Sequence, residues 1–181
     1  MKRIIEALAL AFLALLGVAE SGWAQKTYAL GVGGGVAIPV GKLSDSQKTG
    51  ANGMVVLALG AAELPIGVRF DGVYNSFSRN DKTSASSYKF RAAGLLGNLI
   101  YAFPSANAKT YLIAGAGLYN IKLDVAGSKS ENHGGLNAGA GVTFGVGPIA
   151  TFIESRYHFI SRAPDKGGVI HFVPITFGIL F

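Results

Sequence analysis

The sequence has no cysteine, which excludes disulfide frameworks, thiolate nucleophiles and cysteine-ligated metal sites. Charge is scarce as well. Only 14% of residues are charged, and 10 acids face 16 bases for a net charge of +6. The bases are dispersed among polar stretches and form no basic helix, so a nucleic-acid partner is not expected. His133, His158 and His171 are scattered along the chain. There is no Gly-x-Ser-x-Gly elbow and no His-Glu-x-x-His pair. The glycine run Gly31-Val32-Gly33-Gly34-Gly35-Val36 misses the dinucleotide fingerprint at its sixth position. No catalytic, cofactor-binding or metal-binding residue is therefore assigned, and the chain is read as a non-enzyme without cofactors. The most informative absence is of long apolar runs. Half of the residues are apolar and the mean hydropathy is +0.39. Yet the longest apolar run beyond the amino terminus, Met54 to Ala62, is far short of the ~20 residues a spanning helix needs.

The amino terminus reads as an export signal. Met1 to Arg3 is basic, Ala7 to Val18 is apolar, and Gly22-Trp23-Ala24 offers small residues for a peptidase, so residues 1–24 are expected to be a signal peptide cleaved after Ala24. Residues 25–181 then form one domain. The charges on the leader cancel, and the mature chain keeps its +6.

A chain this apolar without a spanning helix must distribute its apolar residues over many short segments, and the carboxy-terminal stretch shows how. From His171 on, Val173, Ile175, Phe177, Ile179 and Phe181 alternate with Pro174, Thr176 and Gly178, the period of a strand with one apolar face. Seven earlier segments alternate in the same way: Tyr28 to Pro39, Asn52 to Ala62, Gly67 to Phe77, Tyr88 to Phe103, Lys109 to Lys122, Leu136 to Phe144 and Ile149 to Ile160. Polar loops are expected at Gly41 to Ala51, Ser78 to Ser87, Leu123 to Asn132 and Ser161 to Gly167. Tight turns carry Pro65, Pro104 and Pro148. Long connections alternating with short ones are the signature of an even-stranded barrel with short periplasmic turns.

Bulky residues are expected outward and small or polar ones inward, since an eight-stranded barrel has room inside only for side chains. On this rule Arg69, Asp71 and Asn75 of the third segment, Asn98 of the fourth and Glu154, Arg156 and His158 of the seventh face the lumen. Tyr111, Ile113, Tyr119 and Ile121 of the fifth face outward. The outward aromatics fall at two levels. Tyr28, Tyr101, Phe103, Tyr111, Phe144 and Phe181 lie near the short turns, and Tyr74, Tyr119, Tyr157 and Phe159 near the long loops, as girdles at both faces of a membrane would.

The glycine-rich GVGGGVAIPVG at Gly31 to Gly41, ESRYHFI at Glu154 to Ile160 and the closing VPITFGILF together resemble the small outer-membrane β-barrel family that includes the OmpA transmembrane domain and OmpX-like proteins. The resemblance implies an all-β, eight-stranded antiparallel up-and-down transmembrane barrel in the outer membrane of a Gram-negative-type bacterium. It implies a monomer that meets outer-membrane lipids and lipopolysaccharide. It also implies recognition by the barrel-assembly machinery through the terminal signal Phe177, Ile179 and Phe181. Members of the family do different jobs, so the expected role is structural, envelope-stabilising or loop-presenting, with a narrow channel or small-ligand transporter as the second reading. Arg156 to Arg162 is superficially similar to the His/Ser site of lipid A deacylases, but Ser161 stands three residues after His158. That spacing turns the two side chains to opposite faces of a strand. Pro174, unable to donate a ladder bond, predicts a local bulge or one missing bond in the last strand.

Two groups of residues carry what functional expectation there is. Arg69 and Asp71 should meet Glu154 and Arg156 across the lumen as a polar network that plugs it, with Asn75, Asn98, Lys122 and His158 as polar filling. Lys42, Lys48, Arg79 and Lys82 on the long-loop rim are expected to face lipopolysaccharide phosphates.

Overall fold

In the computed structural model, residues 28–60, 65–79, 89–103, 108–124, 128–146, 149–162 and 168–181 are described; the expected leader lies outside them. Eight antiparallel strands close into a barrel in sequence order. They are β1 (Tyr28–Val40), β2 (Gln47–Gly60), β3 (Ile66–Arg79), β4 (Phe90–Ala102), β5 (Ala108–Leu123), β6 (Glu131–Val146), β7 (Ile149–Ile160) and β8 (Ile170–Leu180). The first strand pairs with the last, Gly31 against Leu180 through Val40 against His171. Phe181 completes the closure: its N–H donates to the Leu30 carbonyl at 2.8 Å and its carbonyl accepts from the Leu30 N–H at 3.1 Å. Among the described strands no edge is left open to pair with a neighbour.

The alternation expected from sequence holds in β1 to β4 and β6 to β8. Leu95 is 70% exposed and Leu99 62%, while their neighbours Leu96 and Asn98 are buried in the lumen. Phe177 and Ile175 face out from β8, and Thr176 faces in. In lipid, a charge on the outer wall at the midplane costs about 2–4 kcal/mol, and the charged residues of the central rows are indeed all on the inner wall.

Strand β5 runs against expectation. Tyr111, Ile113, Tyr119 and Ile121 are buried in the lumen, and Leu112 and Leu118 are the lipid-side residues. The physical reason is room. Tyr119 fits between two glycines, since a Cβ on Gly94 of β4 would lie 2.9 Å from its ring and one on Gly135 of β6 only 2.6 Å. A Cβ on Gly141 would collide with the Tyr111 ring. Bare backbone on β4 and β6 thus makes space for tyrosines on β5. Both tyrosines leave the proposed aromatic girdles. Lys122, on the opposite parity from Ile121, faces outward and does not join the lumen filling.

Two connections are also shorter than expected. In place of a polar loop from Gly41 to Ala51, a short helix α1 (Lys42–Ser46) is followed at once by β2. Gly41, at φ 61°, takes the left-handed turn that leads into α1 with little strain. Its carbonyl accepts from the Ser44 N–H at 2.9 Å and hydroxyl at 2.6 Å. β2 then carries a bulge between Lys48 and Ala51. The loop expected from Leu123 to Asn132 narrows because β6 begins at Glu131. Strands of 11 to 16 residues meet or exceed the ~9–11 needed to cross a bilayer. Their polar ends project past the apolar belt.

Pro174 interrupts the ladder without a bulge. Ser155 pairs with Ile175 and His158 with Phe172 in one register, but pairing lapses at the two rungs between. On its other side Pro174 stays in register with Ala37 of β1. Its nitrogen therefore faces β7 with no hydrogen to donate.

Candidate functional site

The lumen is filled in tiers. At the short-turn end lies Phe152, 1% exposed, with the Arg69 guanidinium carbon 5.9 Å from its ring centroid. Above it Arg69 and Asp71 reach in from β3, and Glu154 and Arg156 from β7. The four charges close a ring. Arg69 Nε lies 2.9 Å from Asp71 Oδ1, and Arg69 Nη2 lies 2.8 Å from Glu154 Oε2. Arg156 Nη1 lies 2.8 Å from Asp71 Oδ2, and Arg156 Nε lies 2.6 Å from Glu154 Oε1. Each charge has two neighbours of opposite sign. Neutral donors take further lone pairs: Asn98 Nδ2 donates to Asp71 Oδ2 at 2.9 Å and the Tyr111 hydroxyl to Glu154 Oε2 at 2.8 Å. Arg156 Nη1 also reaches Asn137 Oδ1 at 3.4 Å. Such a ring is tolerable in a dry interior because none of its members is left uncompensated.

Toward the loops the filling becomes neutral, then apolar. Thr176 donates to Asn52 Oδ1 at 2.6 Å, and Asn52 Nδ2 donates to Asn75 Oδ1 at 2.8 Å. The Tyr119 hydroxyl sits 2.7 Å from His158 Nδ1, and the His158 ring stacks on Phe172 with centroids 4.8 Å apart. Phe172 meets Phe77 at 5.5 Å, and Phe77 meets Phe90 at 5.7 Å. Ile160 and Ile170 pack with them, and Leu43 of α1 covers this cluster. The polar network is thus enclosed by Phe152 below and by phenylalanines above.

The structure brings Arg69, Asp71, Glu154 and Arg156 together, with Asn98 in contact and Asn75 and His158 in the tiers above. Sequence reasoning missed Tyr111, although Gly115 and Gly117 share its face and glycines mark the inner wall of β1. The deacylase-like pair is not assembled: His158 is buried at Tyr119 and Phe172, whereas Ser161 is exposed beyond the end of β7. Among the rim residues, Lys42 is exposed on α1 and Lys48 is exposed on β2. Arg79 ends β3 opposite Gln47. Its side chain, and Lys82 entirely, lie outside the described residues. Phe177 and Ile179 sit on the outer wall of β8, and Phe181 follows just past its end, bonded to Leu30 of β1. Among the described residues no cluster of side chains suited to a metal ion occurs.

The chain has the fold of the small outer-membrane β-barrels: an eight-stranded, closed, up-and-down meander with an apolar exterior. Among the solved structures that share it are the following three. Neisserial surface protein A superposes with a TM-score of 0.65 at 18% identity, covering 87% of this chain and 97% of that one. The amino-terminal barrel domain of Pseudomonas aeruginosa OprF gives 0.53 at 10%, covering 87% and 99%. Ail of Yersinia pestis, crystallised with the heparin analogue sucrose octasulfate, gives 0.51 at 17%, covering 85% and 96%. No protein-family model and no curated protein matches the chain.

Proposed function

We propose that this protein is an integral outer-membrane barrel that acts as a closed, rigid mount for its outer connections, with a structural or adhesive role and no aqueous pore. The observation that carries the reading is its inverted polarity: leucines up to 70% exposed outside, paired charges at 4% exposure or less inside. A soluble protein rarely presents a continuous apolar belt, and a bilayer supplies the solvent such a belt needs. The filled lumen supports a mount over a transporter. The solved structures of like fold come from bacterial outer membranes, which supports the address. On this reading the protein is a monomer that meets lipopolysaccharide at its outer rim, and Phe177 and Ile179 of β8, with Phe181 just after it, are the signal read by the assembly machinery.

Cell fractionation followed by electrophoresis with and without heating tests the membrane barrel: an outer-membrane band whose mobility changes on boiling is expected. A soluble protein with heat-independent migration would sink the proposal. Deleting the connection at residues 80–89 should abolish any cell attachment the protein confers while the heat-dependent shift persists.

A further inference from the structure

We infer that the outward face of β4 and β5, at the long-loop end of the barrel away from their shared turn, seats the phosphate of an outer-leaflet glycolipid through Lys89, Arg91 and Lys122. The inference rests on the membrane reading above. Phe90 and Ala92 fill the lumen from β4, and Tyr119 and Ile121 from β5, so Arg91 and Lys122 between them point to the membrane side. The two are register partners, and like charges placed opposite each other on a sheet destabilise it. Lys89 adds a third cation on the same face, its carbonyl accepting the Asp124 N–H at 2.9 Å. Among the described residues of this face one acid stands against these three, Asp124, whose Oδ2 lies 2.6 Å from Arg91 Nη2. Arg91 Nε has no hydrogen-bond partner among the described residues. Among the described residues the cluster is thus short of anions.

The rows beneath it identify the partner. Leu95 and Leu118 are in register, each 70% exposed, and belong to the acyl-chain belt. The next outward row is Tyr74, Ala93, Asn120 and Asn132, in register across four strands. There Asn120 Nδ2 donates to Asn132 Oδ1 at 2.7 Å. The row above holds Ser76, Arg91 and Lys122. Apolar, then amide and phenol, then cationic: this is the order of chains, interface and phosphate in a lipid. Four residues of strand separate the leucines from the cations, about 13 Å along the strand and ~10 Å along the membrane normal at barrel tilt. Long cationic side chains near a membrane edge extend to such a headgroup level.

Binding of bisphosphorylated lipid A to the full-length protein, purified and refolded in neutral detergent, tests the site. Lys89→Gln with Lys122→Gln leaves the Arg91–Asp124 pair intact and should weaken binding about 30-fold, while Asp124→Asn should tighten it about 5-fold. The same lipid stripped of phosphate should bind with an affinity that neither change alters. Inorganic phosphate at millimolar concentration should not compete. Unchanged affinity in the double variant would overturn the inference. So would an equal loss with the dephosphorylated lipid, competition by free phosphate, or a loss that instead follows Lys42→Gln with Lys48→Gln. The unheated electrophoretic mobility of each variant reports folding separately. If the wild-type chain gives no heat-dependent band from the outer membrane, the proposed function itself falls, and this site falls with it.

Discussion

Replacing Glu154 with alanine is the sharpest probe of the lumen. Glu154 is 2% exposed and receives Arg69 Nη2 at 2.8 Å, Arg156 Nε at 2.6 Å and the Tyr111 hydroxyl at 2.8 Å. Without it two guanidinium groups share Asp71 alone, leaving one buried positive charge uncompensated and one buried hydroxyl without its acceptor. Breaking a buried ion pair by removing one partner costs about 3–5 kcal/mol, and an orphaned buried hydroxyl adds about 1–3 kcal/mol. Water admitted to the vacated volume offsets part of this, so a loss near the lower figure, about 3 kcal/mol, is expected. Asp124→Ala is the comparison, since that acid's pair with Arg91 is exposed and its loss costs under about 1 kcal/mol. Urea unfolding in lipid vesicles, followed by the heat-dependent electrophoretic shift, gives both values on one scale. Replacing Arg69 and Glu154 together with methionine and leucine should recover much of the loss, because removing both members of a pair leaves no orphaned charge and only the Tyr111 hydroxyl without its acceptor. Equal stability of Glu154→Ala and Asp124→Ala would refute the claim that the ring is dry and mutually compensated.

Purified protein in planar bilayers should show no steady conductance, because Phe152 and the Phe77–Phe90–Phe172 cluster close the lumen on both sides of the charges; a large, stable single-channel current would contradict the closed-mount reading. Gly141→Val should destabilise the barrel by ~1–3 kcal/mol or more through collision with Tyr111, and Tyr111→Ala in the same chain should restore part of that in the vesicle assay. Pro174→Ala supplies the missing N–H toward β7. The new amide should be protected in hydrogen exchange, with a small net change in stability because a gained bond of about 0.5–1.5 kcal/mol opposes about 0.4–1 kcal/mol of lost proline rigidity.

The strands and their order were legible because a barrel wall has two solvents, lipid and lumen, and a period of two separates them residue by residue. The charge ring could be anticipated for the same reason: Arg69, Asp71, Glu154 and Arg156 interrupt the apolar alternation on one parity of two strands that must face each other. Strand β5 defeated the rule because it is apolar on both faces, with Leu112 and Leu118 against Tyr111, Ile113, Tyr119 and Ile121. Its period was visible while its direction was not. The deciding fact, that Gly94, Gly135 and Gly141 leave room for two tyrosines, lies on the neighbouring strands and appears only once the register is known. Helix α1 and the early starts of β2 and β6 were missed because polar residues above the membrane lose the alternation that marks a strand. Which carboxylate meets which guanidinium depended on stagger between β3 and β7, a quantity no local pattern encodes.

That β3 and β7 are never neighbours gives the charge ring a place in time as well as in space. On the growing sheet Arg69 and Asp71 have only each other as charged partners, with the neutral Asn98 of β4 beside them, and their other ionic partners lie 85 residues further along. The four-membered ring cannot exist in any half-built meander; it forms only when the sheet curls far enough for its two halves to face one another, near the moment β8 meets β1. Interactions completed that late are absent from the rate-limiting barrier and act mainly on escape from the finished state. Glu154→Ala should therefore leave the speed of assembly nearly untouched and hasten unfolding, so that the ring works as a latch that engages after the door has shut.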